Sequence, residues 1–482
     1  MGSSSVFYKT FFAFLIVAFI SGFFSCNDDI DYSTNPADKL TFSVDTLRMD
    51  TIISGVGSST FSFKVFNRGA KALMISSIEL TSSVYSVVVD GRRMINNSLT
   101  DVEIGAKDSL IVFVEANVNA TQKSDPVLYD ANLVFRFNGN VQQVRLEAYS
   151  WDVFVWRGKT IDHDTLISGT KPFLIYDSLV VAKGAVFSVS PGVQLLFHDK
   201  AFMRVDGQIQ CKGEVNKPVV LRGDRFDLML PDFPYDLYAG LWQGVNITKD
   251  SYDNLFEHTI IRNGDYGIKL DSSDLQNQKV KLVNCKLTNM TGTVFHSTHS
   301  RAVAYGCEFS NGGSDVVALY GGDYSFEHCT LMSNYLWSSK NSPSALHLCN
   351  YKLAPVAWYW LPLVKADFLS CIIYGRKNLE IFEDKKIDYT GNTKFKYYFN
   401  RCLIKAKGED DDSFVETLWD KKAGFVNAGE NYRFDLRLDS VSEAIDQGRL
   451  ENVANALYDM YGHSRIADGK PDLGAYERVI KK

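Results

Sequence analysis

Glu257-His258-Thr259-Ile260-Ile261, Val283-Asn284-Cys285-Lys286-Leu287, Tyr305-Gly306-Cys307-Glu308-Phe309 and Glu327-His328-Cys329-Thr330-Leu331 are four versions of one segment. Leu369-Ser370-Cys371-Ile372-Ile373 and Asn400-Arg401-Cys402-Leu403-Ile404 continue the series. A small residue (Thr259, Cys285, Cys307, Cys329, Cys371 or Cys402) stands two places before an apolar one each time. Cys285 to Cys307 is 22 residues, and Cys307 to Cys329 is 22 again. A fixed period in the low twenties marks a solenoid, whose repeats bury their apolar faces only by stacking on one another. Helical repeats need longer units and a 3.6-residue rhythm, which these short apolar bursts lack.

Eight or nine residues after Thr259, Cys285, Cys307 and Cys371, and 16 after Cys329, comes a second apolar burst. These are Gly267-Ile268-Lys269-Leu270, Thr293-Val294-Phe295-His296, Val316-Val317-Ala318-Leu319, Ala345-Leu346-His347-Leu348 and Leu379-Glu380-Ile381-Phe382. Two or three short strands per turn of this length is the metric of a right-handed parallel β-helix, with coils ~4.8 Å apart. The step from Cys329 to Cys371 is 42 residues, so one coil there carries a long loop. Five stacked thiols cannot converge on one zinc, and no C-x-x-C pair assists them. Disulfides between coils fit the distance window, but side chains in register point the same way. An interior column of reduced thiols is the expectation, since free cysteine behaves as a small hydrophobe.

Working outward, the chain is 482 residues long with a formal net charge of −6 and no basic run, which argues against nucleic acid as a partner. Lys9 precedes an apolar stretch from Phe11 to Phe24, too short to span a bilayer and suited to a secretory leader over residues 1–25. It ends at Ser25-Cys26, which resembles the lipobox of bacterial lipoproteins. That resemblance implies lipidation of Cys26 and attachment to the outer membrane through an N-terminal lipid. Phe23 and Phe24 depart from the usual lipobox residues, and the alternative is an ordinary cleaved leader. Asn27-Asp28-Asp29-Ile30-Asp31 opens a polar tether over residues 26–39 and resembles export signals for surface display; the alternative is a solvated linker.

Residues 40–150 read as short strands separated by turns. The sharpest signal is a hairpin, Leu133-Val134-Phe135-Arg136-Phe137, then Asn138-Gly139, then an alternating strand to Leu146. Several strands without helical rhythm suggest a β-sandwich, and it resembles the immunoglobulin-like modules that precede β-helices in surface lipoproteins. From Trp151 glycine punctuates the strands, and Leu241-Trp242-Gln243-Gly244-Val245 resembles a recurrent coil element in which tryptophan caps a coil. Residues 151–477 resemble the pectin-lyase-like superfamily. The ending Asp472-Leu473-Gly474-Ala475-Tyr476-Glu477 is similar to that of choice-of-anchor Q domain proteins, with Glu443 where that family has proline. The resemblance implies a cap from about residue 435, held by Asp472, Gly474, Tyr476, Glu477 and Arg465, closing the exposed edges of the solenoid. The expected fold is therefore all-β: a β-sandwich, then a right-handed parallel β-helix with a C-terminal cap.

The sequence names no catalytic residue. Hydrolases of the pectin class need clustered aspartates at acid–base separation, and the coils hold none in those contexts. The arginine and calcium-carboxylate pattern of pectate lyases is absent too, and Arg262, Lys269 and Lys281 stand out no further than solvated surface charges. His258 and His328 share a Phe-Glu-His context but lie three coils apart, so they form no dyad. His296, His299 and His347 are expected to be satisfied structural histidines. Gly408-Glu409-Asp410-Asp411-Asp412 can be written as a calcium loop, yet it lacks the ligand spacing, and a solvated turn is expected. No metal or other cofactor is expected. Trp358, Tyr359 and Trp360, on the expanded coil, are the candidate glycan contacts, because aromatic faces stack on sugar rings; a flap packed on the coils is the alternative. The expectation is a lipid-anchored envelope protein, surface-displayed, that binds or adheres without catalysis. A polysaccharide lyase or hydrolase acting on an acidic polysaccharide is one alternative, and a purely structural envelope component is another.

Overall fold

The computed structural model describes residues 30–230, 233–337, 343–354, 357–387, 391 and 394–479. The leader, Cys26 and the start of the tether lie outside the described residues. The described residues are all-β, with regular helix limited to three short 3-10 turns. None of their helices is long and apolar enough to cross a membrane.

The chain divides into two compact units. One holds the described residues up to Met49 together with Gly57–Asn117 and Tyr129–Ala148. Alternation builds it: Phe63 and Val65 are buried on one strand, and Val112 and Val114 on its antiparallel partner. Asn138 and Gly139, with φ of 46° and 73°, turn the hairpin between Val127–Phe137 and Asn140–Trp151. Positive φ at both positions is what a two-residue turn matched to strand twist requires. These strands distribute over two five-stranded sheets.

The other unit holds Asp50–Val56, Val118–Leu128 and the chain from Tyr149 onward. It carries two long parallel sheets, one of eighteen strands and one of ten, an arrangement compatible with a β-helix solenoid. Strands pair with strands about one period on. Val219 lies beside Thr259, and the neighbouring pairs Ile260 with Lys286, Lys286 with Glu308, Glu308 with Thr330, Thr330 with Ile372 and Ile372 with Leu403 set the next columns. Cys285, Cys307, Cys329, Cys371 and Cys402 thereby stack in one column, each buried and each a free thiol. Phe326, Phe368, Phe399 and Phe414 stack beside them, with ring centroids 5.0, 4.8 and 4.8 Å apart. Trp242 is buried against Phe197 at 4.2 Å, with its indole N–H donated to the Arg262 carbonyl. It fills the inside of the stack instead of capping a coil.

The residue before each ladder position makes the corner between the two sheets. His258, Asn284, Gly306, His328, Ser370 and Arg401 all have φ between 41° and 63°. One left-handed residue there turns the chain without spending a loop. The shared Phe-Glu-His context of His258 and His328 is therefore a corner signature.

The C-terminal segment departs from the expected end cap. It lies along the flank of the coils, over these corners. The His328 ring nitrogen Nδ1 sits 3.1 Å from the Asp472 carbonyl, and the Gly474 amide donates to the Ser370 carbonyl at 2.8 Å. The Ala475 amide donates to Thr330 Oγ1 at 2.9 Å, and the Tyr476 hydroxyl reaches the Glu308 carboxylate. Asp472 and Glu477 flank the fully buried Arg465 guanidinium, whose Nη2 donates to the Ala475 carbonyl at 2.8 Å. The physical reason is the polar flank itself. Glu308, His328, Thr330 and Ser370 are buried and need partners, and the tail provides them.

Candidate functional site

The second apolar bursts form the strands Ile268–Leu270, Phe295–Thr298, Val317–Tyr320, Leu346–Cys349 and Ile381–Asp384. Alternation turns Ile268, Phe295, Val317, Leu346 and Ile381 into the core. Their neighbours Lys269, His296, Ala318, His347 and Phe382 stack in register on the opposite, outer face. Two residues further along, Thr298, Tyr320, Cys349 and Asp384 form a second outer column. Two parallel lines of side chains thus run along one face.

A groove of about 690 Å³ runs over that face, lined by Lys249, Asp265, Tyr266, Lys269, Asp271, His296, Thr298 and Lys352 among others. A second cavity of about 300 Å³ adjoins it, shares His296, Thr298 and Lys352, and adds Tyr320, Cys349, Tyr351, Leu353 and Asp384. Three lysines against two aspartates leave the larger groove cationic. Asp265 is partly occupied, since its Oδ1 accepts the Thr291 hydroxyl at 2.9 Å. Burial, and then the charges of Lys269 and Lys352, push the His296 imidazole down to about 4, so it stands neutral at physiological pH. Its Nε2 lies 3.2 Å from Thr298 Oγ1.

His347 differs from the satisfied histidine expected of it. Its ring packs between Tyr320 and Phe382, with centroids 5.3 and 4.8 Å away. Nδ1 lies 2.9 Å from Asp315 Oδ2, whereas Nε2 is buried with no partner. Burial opposes the charge on Asp315, but the His347 contact and the Ser344 amide hold its carboxyl below the usual range. One His347 ring nitrogen, the Cys349 thiol and a carboxylate oxygen of Asp384 lie within 4.8 Å of one another. Tyr351 donates its hydroxyl to Asp384 Oδ2 at 2.7 Å. The expectation of no metal came from sequence spacing. Cys349 and Asp384 are 35 residues apart in the chain and meet only because the expanded coil pairs their strands.

Trp358, Tyr359 and Trp360 lie on the strand Ala357–Trp360, paired antiparallel with Tyr351–Ala354. Trp358 is 41% and Tyr359 60% exposed. Trp358 meets Trp360 edge-on at 4.8 Å, and Tyr359 pairs across the hairpin with Lys352, which lines both cavities. The aromatics therefore belong to a hairpin at the margin of the groove. Elsewhere, Arg262 is paired with Asp236 at 3.0 Å, and Lys281 lies over the Tyr305 ring at 5.6 Å. In the acidic run, Asp411 Oδ1 accepts the Ser413 and Phe414 amides, and Asp410 accepts the Thr417 amide and the Trp419 indole. Those carboxylates hold a turn together.

No protein-family model matches this chain, and no curated protein matches it. Among solved structures, it is similar to XylC in complex with xylose at a TM-score of 0.31 and 9% identity, over 90% of this chain and 88% of that one. It is similar to the catalytic unit of a thermostable GH87 α-1,3-glucanase from Streptomyces thermodiastaticus strain HF3-3 at 0.21 and 8% identity, over 74% and 88%. A match to the Vibrio cholerae VesB protease has a TM-score of 0.16 and 18% identity, and it covers 23% of this chain and 31% of the protease. Scores this low carry no argument about chemistry.

Proposed function

We propose that this chain is a lipid-anchored envelope protein, tethered through Cys26 and displayed at the cell surface, whose coil face binds an acidic glycan without cleaving it. In this reading the first unit is a β-sandwich stalk, and the second is a right-handed parallel β-helix that presents the groove. The observation that carries the reading is the convergence of Lys249, Lys269 and Lys352 in one groove, beside a hairpin with exposed aromatic rings. Uronate or sulfate groups match the lysines, and sugar faces match Trp358 and Tyr359. An amphipathic hairpin beside a cationic trough suits a polymer that lies along the coils.

The test is calorimetric titration with uronate-containing oligosaccharides and with neutral ones of equal length. Binding of the acidic set, weakened by added salt and lost in Lys269→Ala/Lys352→Ala, is the expected result. Equal binding of neutral sugars, or no binding at all, removes the proposal. A lyase is the second reading, favoured by the neutral His296 beside two lysines: lysines can neutralise a uronate while an uncharged imidazole accepts its α-proton. It predicts an ultraviolet-absorbing unsaturated product from the same oligosaccharides, lost in His296→Ala. The binding reading predicts none.

A further inference from the structure

Beneath the hairpin, the outer columns bring together a donor set that the glycan reading does not use. We propose that His347, Cys349 and Asp384 bind a divalent transition-metal ion, zinc by the chemistry of the donors, with a fourth position opening into the smaller cavity. A nitrogen, a sulfur and a carboxylate oxygen are the ligand types zinc takes, whereas calcium and magnesium require oxygen throughout. Their atoms already lie within 4.8 Å of one another. A tetrahedral site with bonds of about 2.0–2.3 Å asks for donors a little over 3 Å apart, so binding would draw the three side chains together.

Two further observations point to a ligand. His347 is only 7% exposed, yet its Nε2 has no hydrogen-bond partner. Leaving a buried ring nitrogen empty costs free energy, and coordination would recover it. Its other nitrogen faces Asp315 Oδ2 at 2.9 Å, the carboxylate–histidine arrangement that fixes the imidazole tautomer and leaves the second nitrogen free for a metal. Strand pairing reinforces this geometry. His347 and Cys349 are two apart on one strand and so point the same way, and Cys349 pairs directly with Asp384. Tyr351 holds one oxygen of Asp384, leaving the other available.

The charges close as well. A thiolate, Asp384 and Asp315 together carry three negative charges against two on the ion, and Lys386, over the Tyr351 ring at 4.6 Å, lies close by. On binding, the Cys349 proton, now shared with the Tyr351 carbonyl at 3.2 Å, leaves to solvent as the sulfur–metal bond forms. Cys349 and Asp384 line the smaller cavity, so the remaining position faces solvent and can take a water molecule.

The full chain, purified without a polyhistidine tag and stripped of metal, would be titrated with cobalt(II) and, in competition with a chromophoric chelator, with zinc(II). One equivalent of cobalt with a thiolate charge-transfer band and the visible bands of a tetrahedral ion is the expected result. Cys349→Ser should abolish the charge-transfer band, and Asp315→Asn, which touches no metal, should weaken zinc binding by about 10–100-fold. Asp384→Asn, on the cavity wall, serves if the serine variant fails to fold. Absence of stoichiometric binding to the parent chain overturns the proposal. So does a cobalt spectrum unchanged by both Cys349→Ser and Asp384→Asn. Glycan titrations of the Cys349→Ser protein keep this outcome separate from the fate of the groove reading.

Discussion

The backbone amide of Cys285 points at the thiol sulfur of Cys307, one coil along, at 3.4 Å, and Cys329 points at Cys371 in the same way. Each thiol in turn lies near carbonyls, Cys307 with that of Tyr305 at 3.3 Å. The column is therefore both packing and weak hydrogen bonding. Cys307→Ala should lower stability by roughly 1–2 kcal/mol, through a small cavity and a lost partner. Cys307→Leu should cost more, because a close-packed interior resists added methylenes. Chemical denaturation midpoints would rank the variants, and the thiols should resist maleimide labelling until the chain unfolds. Rapid labelling of Cys285, Cys307, Cys329, Cys371 or Cys402 in the native protein, read by peptide mass, would contradict the column.

Gly306 is the one glycine among the six left-handed corners, with φ of +63°. A Cβ there would collide with Oδ1 of Asn284, the corner residue of the preceding coil. Gly306→Ala should therefore cost roughly 1–2 kcal/mol or more, from left-handed strain and the clash together. Asn284→Gly should be near neutral in comparison, since removing a side chain from a left-handed residue relieves strain while loosening the unfolded chain. Thermal melts of the two single variants separate the effects. An unaffected Gly306→Ala protein would mean that the corner is not tight.

The repeat was legible because a solenoid copies its core into the sequence. A buried column returns with each turn, as Cys285, Cys307 and Cys329 do. The corner column was half legible: His258 and His328 share a context, but the left-handed role emerges only when Asn284, Gly306 and Ser370 are laid beside them. The metal-type cluster was invisible, because Cys349 and Asp384 meet across the expanded coil, whose length hides the register. The tail was misplaced for a different reason. Asp472 to Glu477 announce a buried polar structure, but the partners that need covering, Glu308 and Ser370, are scattered through the middle of the repeats and not at its end.

Tyr476 is buried with its hydroxyl on the equally buried Glu308, which also accepts the Ser310 hydroxyl at 2.7 Å and meets Lys286 Nζ at 3.2 Å. Tyr476→Phe keeps the ring but leaves the carboxylate one donor short. A loss of roughly 1–3 kcal/mol is expected, the cost of an under-satisfied buried group. Tyr476→Phe combined with Glu308→Ala should cost less than the sum of the two single changes, because each removes the same contact. A double-mutant cycle on urea midpoints measures this coupling, and strict additivity would deny the contact.

Arg465 is fully buried among Asp459, Asp472 and Glu477, three carboxyls around one guanidinium. Burial, and then the charge of Asp472, push Glu477 up to about 8 from an ordinary 4.5, and burial raises Asp472 as well. Glu477 thus holds its proton more tightly in the folded chain than in the unfolded one. Its stabilising contribution is complete below about pH 4.5 and drains away as the pH rises through about 8, since the folded state must then either ionise a buried acid or release the tail. Denaturation midpoints measured from about pH 6 to about pH 9 should fall, with the segment around Glu477 detaching first and becoming open to limited proteolysis. Glu477→Gln carries no proton to lose and keeps an acceptor for the Asp472 amide and the Arg465 guanidinium. Its midpoints should decline less over the same range, whereas a decline as steep as the parent's would assign the pH dependence to another group.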